Sequence, residues 1–380
     1  MSSQILSATE PAKTTIYKTL DAWRGFAALW VVMVHITVPI VVQYPDIARK
    51  PLYAFSLWGA LGVPIFFVIS GYCIANAAVR SRSQANPLSY FFWHRIRRLY
   101  PPYFFASCIT VFFSTCLSAL VGYHILPNSS LAKIDFFHHD IWYYFSVMTL
   151  TQIPLGQPLI LTVFWTLCYE LAFYVIVALF LQATRLAENT NLLFQSLNIF
   201  TILCLVWLII SPTNCPFPLN LWPQFGFGIL VFNLIFQPKH HKPKIFLAIS
   251  IVLMLLYGTL YSYGAKLGQP SSQIQSYFSV IYTILLLWLY QFDEKLILTP
   301  YIRPLASIGM FSYSLYLTHL ITLGTLSQLG RKLGFSLEIL FCLQIVSSLL
   351  VAYIFFRLFE RPFLKTNSFN RRIAKSLEKS

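Results

Sequence analysis

Apolar residues run through this 380-residue chain in long unbroken blocks rather than alternating with polar ones. The blocks fall near residues 21–43, 55–79, 99–122, 160–183, 193–210, 219–237, 245–264, 276–292, 305–327 and 337–357. Each is close to the ~20 residues an α-helix needs to cross the hydrocarbon core of a bilayer. A transmembrane barrel shows alternating segments of about ten residues instead, and only helices and closed barrels satisfy every backbone polar group in lipid. The pattern predicts an all-α fold, a polytopic transmembrane helical bundle of about ten spans. Residues 142–158 are also apolar, but Pro154, Gly156 and Pro158 interrupt them. They read as an interfacial or re-entrant segment.

Composition strengthens this picture. Charged residues make up 10 % of the chain and apolar ones 57 %, against about 25 % charged in a soluble domain. Too few charges remain to cover a water-facing surface, which excludes an ordinary soluble enzyme, a disordered chain and a coiled coil. The net charge of +15 reads as a topology signal rather than a nucleic-acid footprint. With ten spans and a cytoplasmic N-terminus, 21 of the 27 basic residues fall on the cytoplasmic side. The other six are Arg49, Lys50, Lys133, Lys266, Arg331 and Lys332. By the positive-inside rule, both termini are expected in the cytoplasm. Residues 1–19 then form a cytoplasmic segment, 20–365 the membrane domain and 366–380 a basic cytoplasmic tail. The first block is too long for a cleaved signal peptide and reads as a retained span.

The seven cysteines show no CxxC pair and read as small core hydrophobes. His138-His139 lacks further ligands at metal-site spacing, so no metal is expected.

Ionisable residues deep in the spans are few: Arg24, His35, Glu170 and His319. A charge at bilayer depth is costly and marks function by default. Arg24 and His35 are eleven residues apart, about 1100° of helix rotation and a rise of about 16.5 Å. They share a face, one near the cytoplasmic end and the other past the middle. His35, Glu170 and His319 lie within a turn or two of one level. Two imidazoles and a carboxylate at that depth suit proton transfer, whether in an enzyme or in a proton-coupled transporter or flippase. At the mouth of the third block, Arg95 and Arg98 share a helix face and suit bidentate phosphate binding. Polar positions also punctuate the second block at Ser70-Gly71-Tyr72, and the ninth from Ser312 through Tyr313 and Tyr316 to His319. Glu360-Arg361 closes the last.

Together these motifs resemble the acyltransferase 3 family of polytopic membrane O-acyltransferases. Leu20-Asp21-Ala22-Trp23-Arg24 followed by His35 resembles its arginine–ten residues–histidine signature. Phe66 to Tyr72 resembles its second-helix motif, and Arg95-Ile96-Arg97-Arg98 its arginine pair. Trp165 to Glu170, Ser312 to His319 and Phe359 to Pro362 resemble its later signatures, in order over about residues 20–365. Pro64 stands where many members carry an acidic residue. The resemblance implies transfer of an acyl group, usually acetyl, from cytoplasmic acyl-CoA to a hydroxyl of an extracytoplasmic glycan, in a bacterial inner membrane. No tightly bound cofactor is implied; acyl-CoA is a co-substrate. His35 would be the base or an acyl relay, with Glu170 and His319 supporting it. Arg24, Arg95 and Arg98, with Ser70, Gly71 and Tyr72, would handle the donor. Asp21, Trp165, Tyr313, Tyr316, Glu360 and Arg361 would support the site. Many members add a C-terminal hydrolase-like domain. Because the sequence ends at Ser380, the membrane domain or a separate partner is expected to finish the transfer.

Overall fold

The computed structural model describes residues 17–124, 134, 136–186, 190–238, 241–261, 266 and 270–364. Most of the 1–19 segment, the tail from Lys365, and Lys133, Lys239 and His240 lie outside the described residues. Every regular element among the described residues is helical. The helices are α1 (Leu20–Gln43), α2 (Pro51–Leu57), α3 (Gly62–Arg82), α4 (Pro87–Gly122), α5 (Ile141–Thr149), α6 (Trp165–Ala183) and α7 (Asn191–Ile210). After them come α8 (Trp222–Phe236), α9 (Lys242–Leu260), α10 (Ser272–Tyr290), α11 (Asp293–Leu296), α12 (Ile302–Met310), α13 (Ser312–Lys332) and α14 (Leu337–Phe355).

Among the described residues, eight helical stretches are long and apolar enough to cross a membrane, so the chain is a multi-pass integral membrane protein. The sixth and ninth apolar blocks take other forms. The sixth becomes α8, whose 15 residues span only about 22 Å. The ninth splits at Phe311 into the short α12 and the hydroxyl-rich α13. The lipid-facing surface is carried by side chains such as Phe112, Leu179, Val252, Ile281 and Val346, each more than 60 % exposed.

Helix α1 runs through the interior and packs against α3, α12 and α13. Its N-terminus is held by a distant carboxylate. The Lys18 amide donates to Asp293 Oδ2 at 2.7 Å, and the Thr19 amide and hydroxyl donate to Asp293 Oδ1 at 2.9 and 2.8 Å. The Thr19 amide, at the N-cap, is one of the N–H groups that a helix start leaves open. Helices α3 and α8 meet backbone to backbone. A Cβ on Gly71 would lie 1.9 Å from Phe225 O, and one on Gly228 would lie 1.8 Å from Val68 O.

Helix α4 has 36 residues, about 54 Å of helix against about 30 Å of hydrocarbon. It continues through Pro101 and Pro102, and so carries the arginine motif within a helix. The interrupted 142–158 stretch forms α5 and then turns inward, burying Leu150, Gln152, Ile160 and Leu161. Two tyrosines of α4 cap the C-terminal carbonyls of α5: Tyr103 OH donates to Val147 O at 2.9 Å, and Tyr100 OH donates to Met148 O.

Candidate active site

Helices α1, α3, α4, α6 and α13 enclose a cavity of about 820 Å³ of non-protein space, its mouth included. Three arginines line it: Arg24 from α1, and Arg95 and Arg98 from α4. Their separation of three residues puts Arg95 and Arg98 on one face of α4. Arg24 pairs with Asp21 at 3.3 Å, and its other terminal nitrogen donates to Cys73 Sγ at 3.1 Å. Arg95 Nε is buried without a hydrogen-bond partner. Among the described residues this leaves a strong donor unanswered in the cavity wall.

The acidic side of the cavity is Glu170, which accepts a hydrogen bond from Tyr174 one turn further along α6. Glu170 lies within electrostatic reach of both Arg24 and Arg95. Glu360, 3 % exposed, accepts from Ser314 Oγ at 2.5 Å and acts on Arg98 and Arg24. Tyr313 lines the cavity and donates to Leu99 O at 2.8 Å. Cationic guanidiniums at the wall, with carboxylates and phenols placed to hold them, suit an elongated anion.

The two deep histidines sit together beside this cavity. Their ring centroids are 5.1 Å apart, although they belong to α1 and α13. His35 Nδ1 donates to Val31 O at 2.8 Å, and His319 Nδ1 donates to Leu315 O at 3.0 Å. Each bond fixes the tautomer, because a carbonyl only accepts. Each neutral ring therefore presents an Nε2 lone pair. His35 is half-buried and His319 fully buried, with its Nε2 unpartnered. Tyr316 joins the pair to the cavity. It lines the cavity, its ring lies 5.8 Å from that of His319, and its hydroxyl donates to Val163 O and accepts from Thr166 Oγ1, both at 2.8 Å.

The family model described as "Acyltransferase domain" matches residues 17–357. The chain belongs to the acyltransferase 3 family. Two curated bacterial relatives are also similar to it. The peptidoglycan O-acetyltransferase OatA of Listeria monocytogenes is 25 % identical, covering 93 % of this chain and 56 % of the relative. The O-acetyltransferase OatA of Staphylococcus aureus is 22 % identical, covering 91 % and 57 %. The chain thus spans a little over half the length of these relatives. No solved structure matches it.

The family's motif residues divide between several places. Arg24, Arg95, Arg98, Ser70, Glu170, Tyr313 and Tyr316 line the cavity. His35 and His319 form the adjoining pair. Glu170, expected at the level of the histidines, has Tyr174 as its hydrogen-bond partner and the arginines as its charged neighbours. Gly71 and Tyr72 are not among the residues lining the cavity. Gly71 seats α8, and Tyr72 packs its ring on Tyr17 and Phe232 at 6.1 and 5.3 Å. Three successive helical residues sweep about 200°, so they cannot all serve one pocket. Trp165 packs edge-on against Phe67 and Tyr169, behind the wall. Asp21 pairs with Arg24, while Glu360 is bonded to Ser314 within electrostatic reach of Arg98. Arg361 lies in the short helical turn after α14.

Cys73 and Tyr174 are site residues that the sequence pattern left unremarked. Cys73 departs from the reading of the cysteines as core fillers, because it accepts from Arg24 and lines the cavity. Of the other cysteines, Cys168, Cys204 and Cys215 are buried, and Cys108, Cys116 and Cys342 are exposed. The Glu170–Tyr174 spacing of four on a helix was the signal available for Tyr174.

Proposed function

We propose that this protein is a membrane O-acyltransferase that moves an acyl group, acetyl in the first instance, from cytoplasmic acyl-CoA to a hydroxyl of an extracytoplasmic cell-wall glycan. The observation that carries this reading is the three-arginine cavity adjoining the His35–His319 pair. The peptidoglycan O-acetyltransferase similar to it along most of its length supports the acceptor class.

The nucleotide end of acyl-CoA carries several negative charges, which Arg24, Arg95 and Arg98 are suited to hold through charge-assisted hydrogen bonds. From Arg24 to His35, α1 rises about 16 Å. An extended pantetheine arm of that order would bring the thioester beside the imidazole. The acceptor hydroxyl would enter from the opposite side. His35 Nε2 takes the hydroxyl proton, and the oxygen attacks the thioester carbonyl carbon. The C–O ester bond forms as the C–S bond breaks, and the coenzyme leaves as a thiolate that regains one proton. Fixing His35 Nδ1 on Val31 O keeps Nε2 as the basic nitrogen throughout.

The test is transfer from acetyl-CoA by the purified full chain, wild type against His35→Gln. Glutamine preserves hydrogen bonding but takes no proton near neutral pH, so the variant should lose about 10²–10⁴-fold in rate. Near-normal transfer by His35→Gln would reduce the histidine to a helix-packing residue.

A further inference from the structure

We infer that His319 is the second proton carrier of this site, receiving the proton that His35 lifts from the acceptor and returning it toward the leaving sulfur. The relay presupposes the acyl-transfer reading above and goes beyond it, because one imidazole would suffice for a simple general base.

Three observations support it. The first is the tautomer lock, which operates in both rings rather than one. Nδ1 of each donates to the carbonyl four residues earlier, at 2.8 Å in His35 and 3.0 Å in His319. Two neutral rings locked in this way both offer lone pairs at Nε2, and one added proton can be shared between them. A centroid separation of 5.1 Å puts the two rings close enough for one proton to pass between them. The second is the orphan. His319 Nε2 is buried and has no partner, an arrangement that costs stability unless something else offsets it. A transient proton from His35 is the partner it lacks.

The third is placement. His35 is half-buried, whereas His319 is fully enclosed and touches Tyr316, a wall residue of the arginine cavity. The pair therefore runs from the accessible side toward the donor side. One ring is placed to receive a proton from the incoming hydroxyl and the other to give it back to the departing thiolate. The balance is complete: the O–H bond breaks, His35 and then His319 hold the proton at Nε2, and an S–H bond forms. Both rings end neutral.

The experiment uses the full-length chain in detergent with acetyl-CoA and a soluble glycan acceptor. The rate is read with acetyl-CoA and with an acetyl thioester of a more acidic thiol, which leaves without needing a proton. His319→Gln should lower kcat with acetyl-CoA by about 10²-fold, lose much less with the more acidic thioester, and leave acetyl-CoA affinity within about twofold. His319→Asn, whose amide can still donate to Leu315 O, serves if the glutamine variant does not fold. Wild-type kcat in either folded variant overturns the relay, and so does an equal loss of kcat with both thioesters. A wild-type chain inert toward acetyl-CoA overturns the donor assignment instead, and the relay falls with it.

Discussion

Replacing Asp293 tests how firmly the reaction geometry depends on the start of α1. This carboxylate accepts three hydrogen bonds: from the Lys18 and Thr19 amides at 2.7 and 2.9 Å and from the Thr19 hydroxyl at 2.8 Å. Thr19 is 2 % exposed and Asp293 4 %, so water cannot readily take over. A hydrogen bond to a charged acceptor contributes about 1.5–3 kcal/mol, and a buried donor left unsatisfied costs about 1–3 kcal/mol. These figures do not add fully within one cluster, so Asp293→Ala should cost about 3–6 kcal/mol. Asp293→Asn keeps one acceptor oxygen and should cost about half of that. At roughly 2 °C per kcal/mol for a chain of this size, the alanine variant should melt about 6–12 °C lower in detergent. The kinetic signature should be graded along α1. Arg24 lies one turn from the cap and His35 four turns from it, so donor KM should rise before kcat falls. A melting temperature within 2 °C of wild type, with unchanged donor KM, would refute the claim that this contact anchors the helix.

Three further outcomes are expected. Arg95→Ala should weaken acetyl-CoA binding about ten- to a hundredfold, the worth of one charge-assisted contact, and leave acceptor dependence unchanged in a titration of each substrate. Gly228→Ala would set a Cβ 1.8 Å from Val68 O and should abolish monodisperse protein on size-exclusion chromatography, whereas Gly122→Ala, with nothing within 4 Å, should behave as wild type. A reporter fused after Lys379 should be active only in its cytoplasmic form, and an extracytoplasmic signal would reverse the proposed donor side.

Much of this architecture was legible in the chain because it is local. Block length predicts helices, and the eleven-residue gap between Arg24 and His35 predicts one shared face on α1. The meeting of His35 and His319 was legible in part, since both lie about the same distance from the cytoplasmic ends of their blocks. The surroundings of Glu170 were not: its side chain engages Tyr174 and lies near Arg24, because helix rotation is set by packing that no single segment specifies. The split of the ninth block has the same origin. Gly309 must lie against Asp21 O, where a Cβ would sit at 1.7 Å, and this fixes α12 along the start of α1. The Asp293 cap joins residues 274 apart, and no periodicity reports such a contact.

The segment that follows α5 has a consequence for diversification. Tyrosine hydroxyls bonded to main-chain carbonyls anchor it on either side: Tyr100 to Met148 and Tyr103 to Val147 at the end of α5, and Tyr316 to Val163 beyond it. A main-chain carbonyl is the same in every residue, so these bonds hold the path of the chain without dictating its side chains. The exposed Leu155 can therefore be exchanged while the fold below stays fixed, whereas Gly156, at φ +63°, keeps its glycine. On the proposed acyl-transfer reading, variation concentrated there would leave the groups that perform the chemistry unchanged.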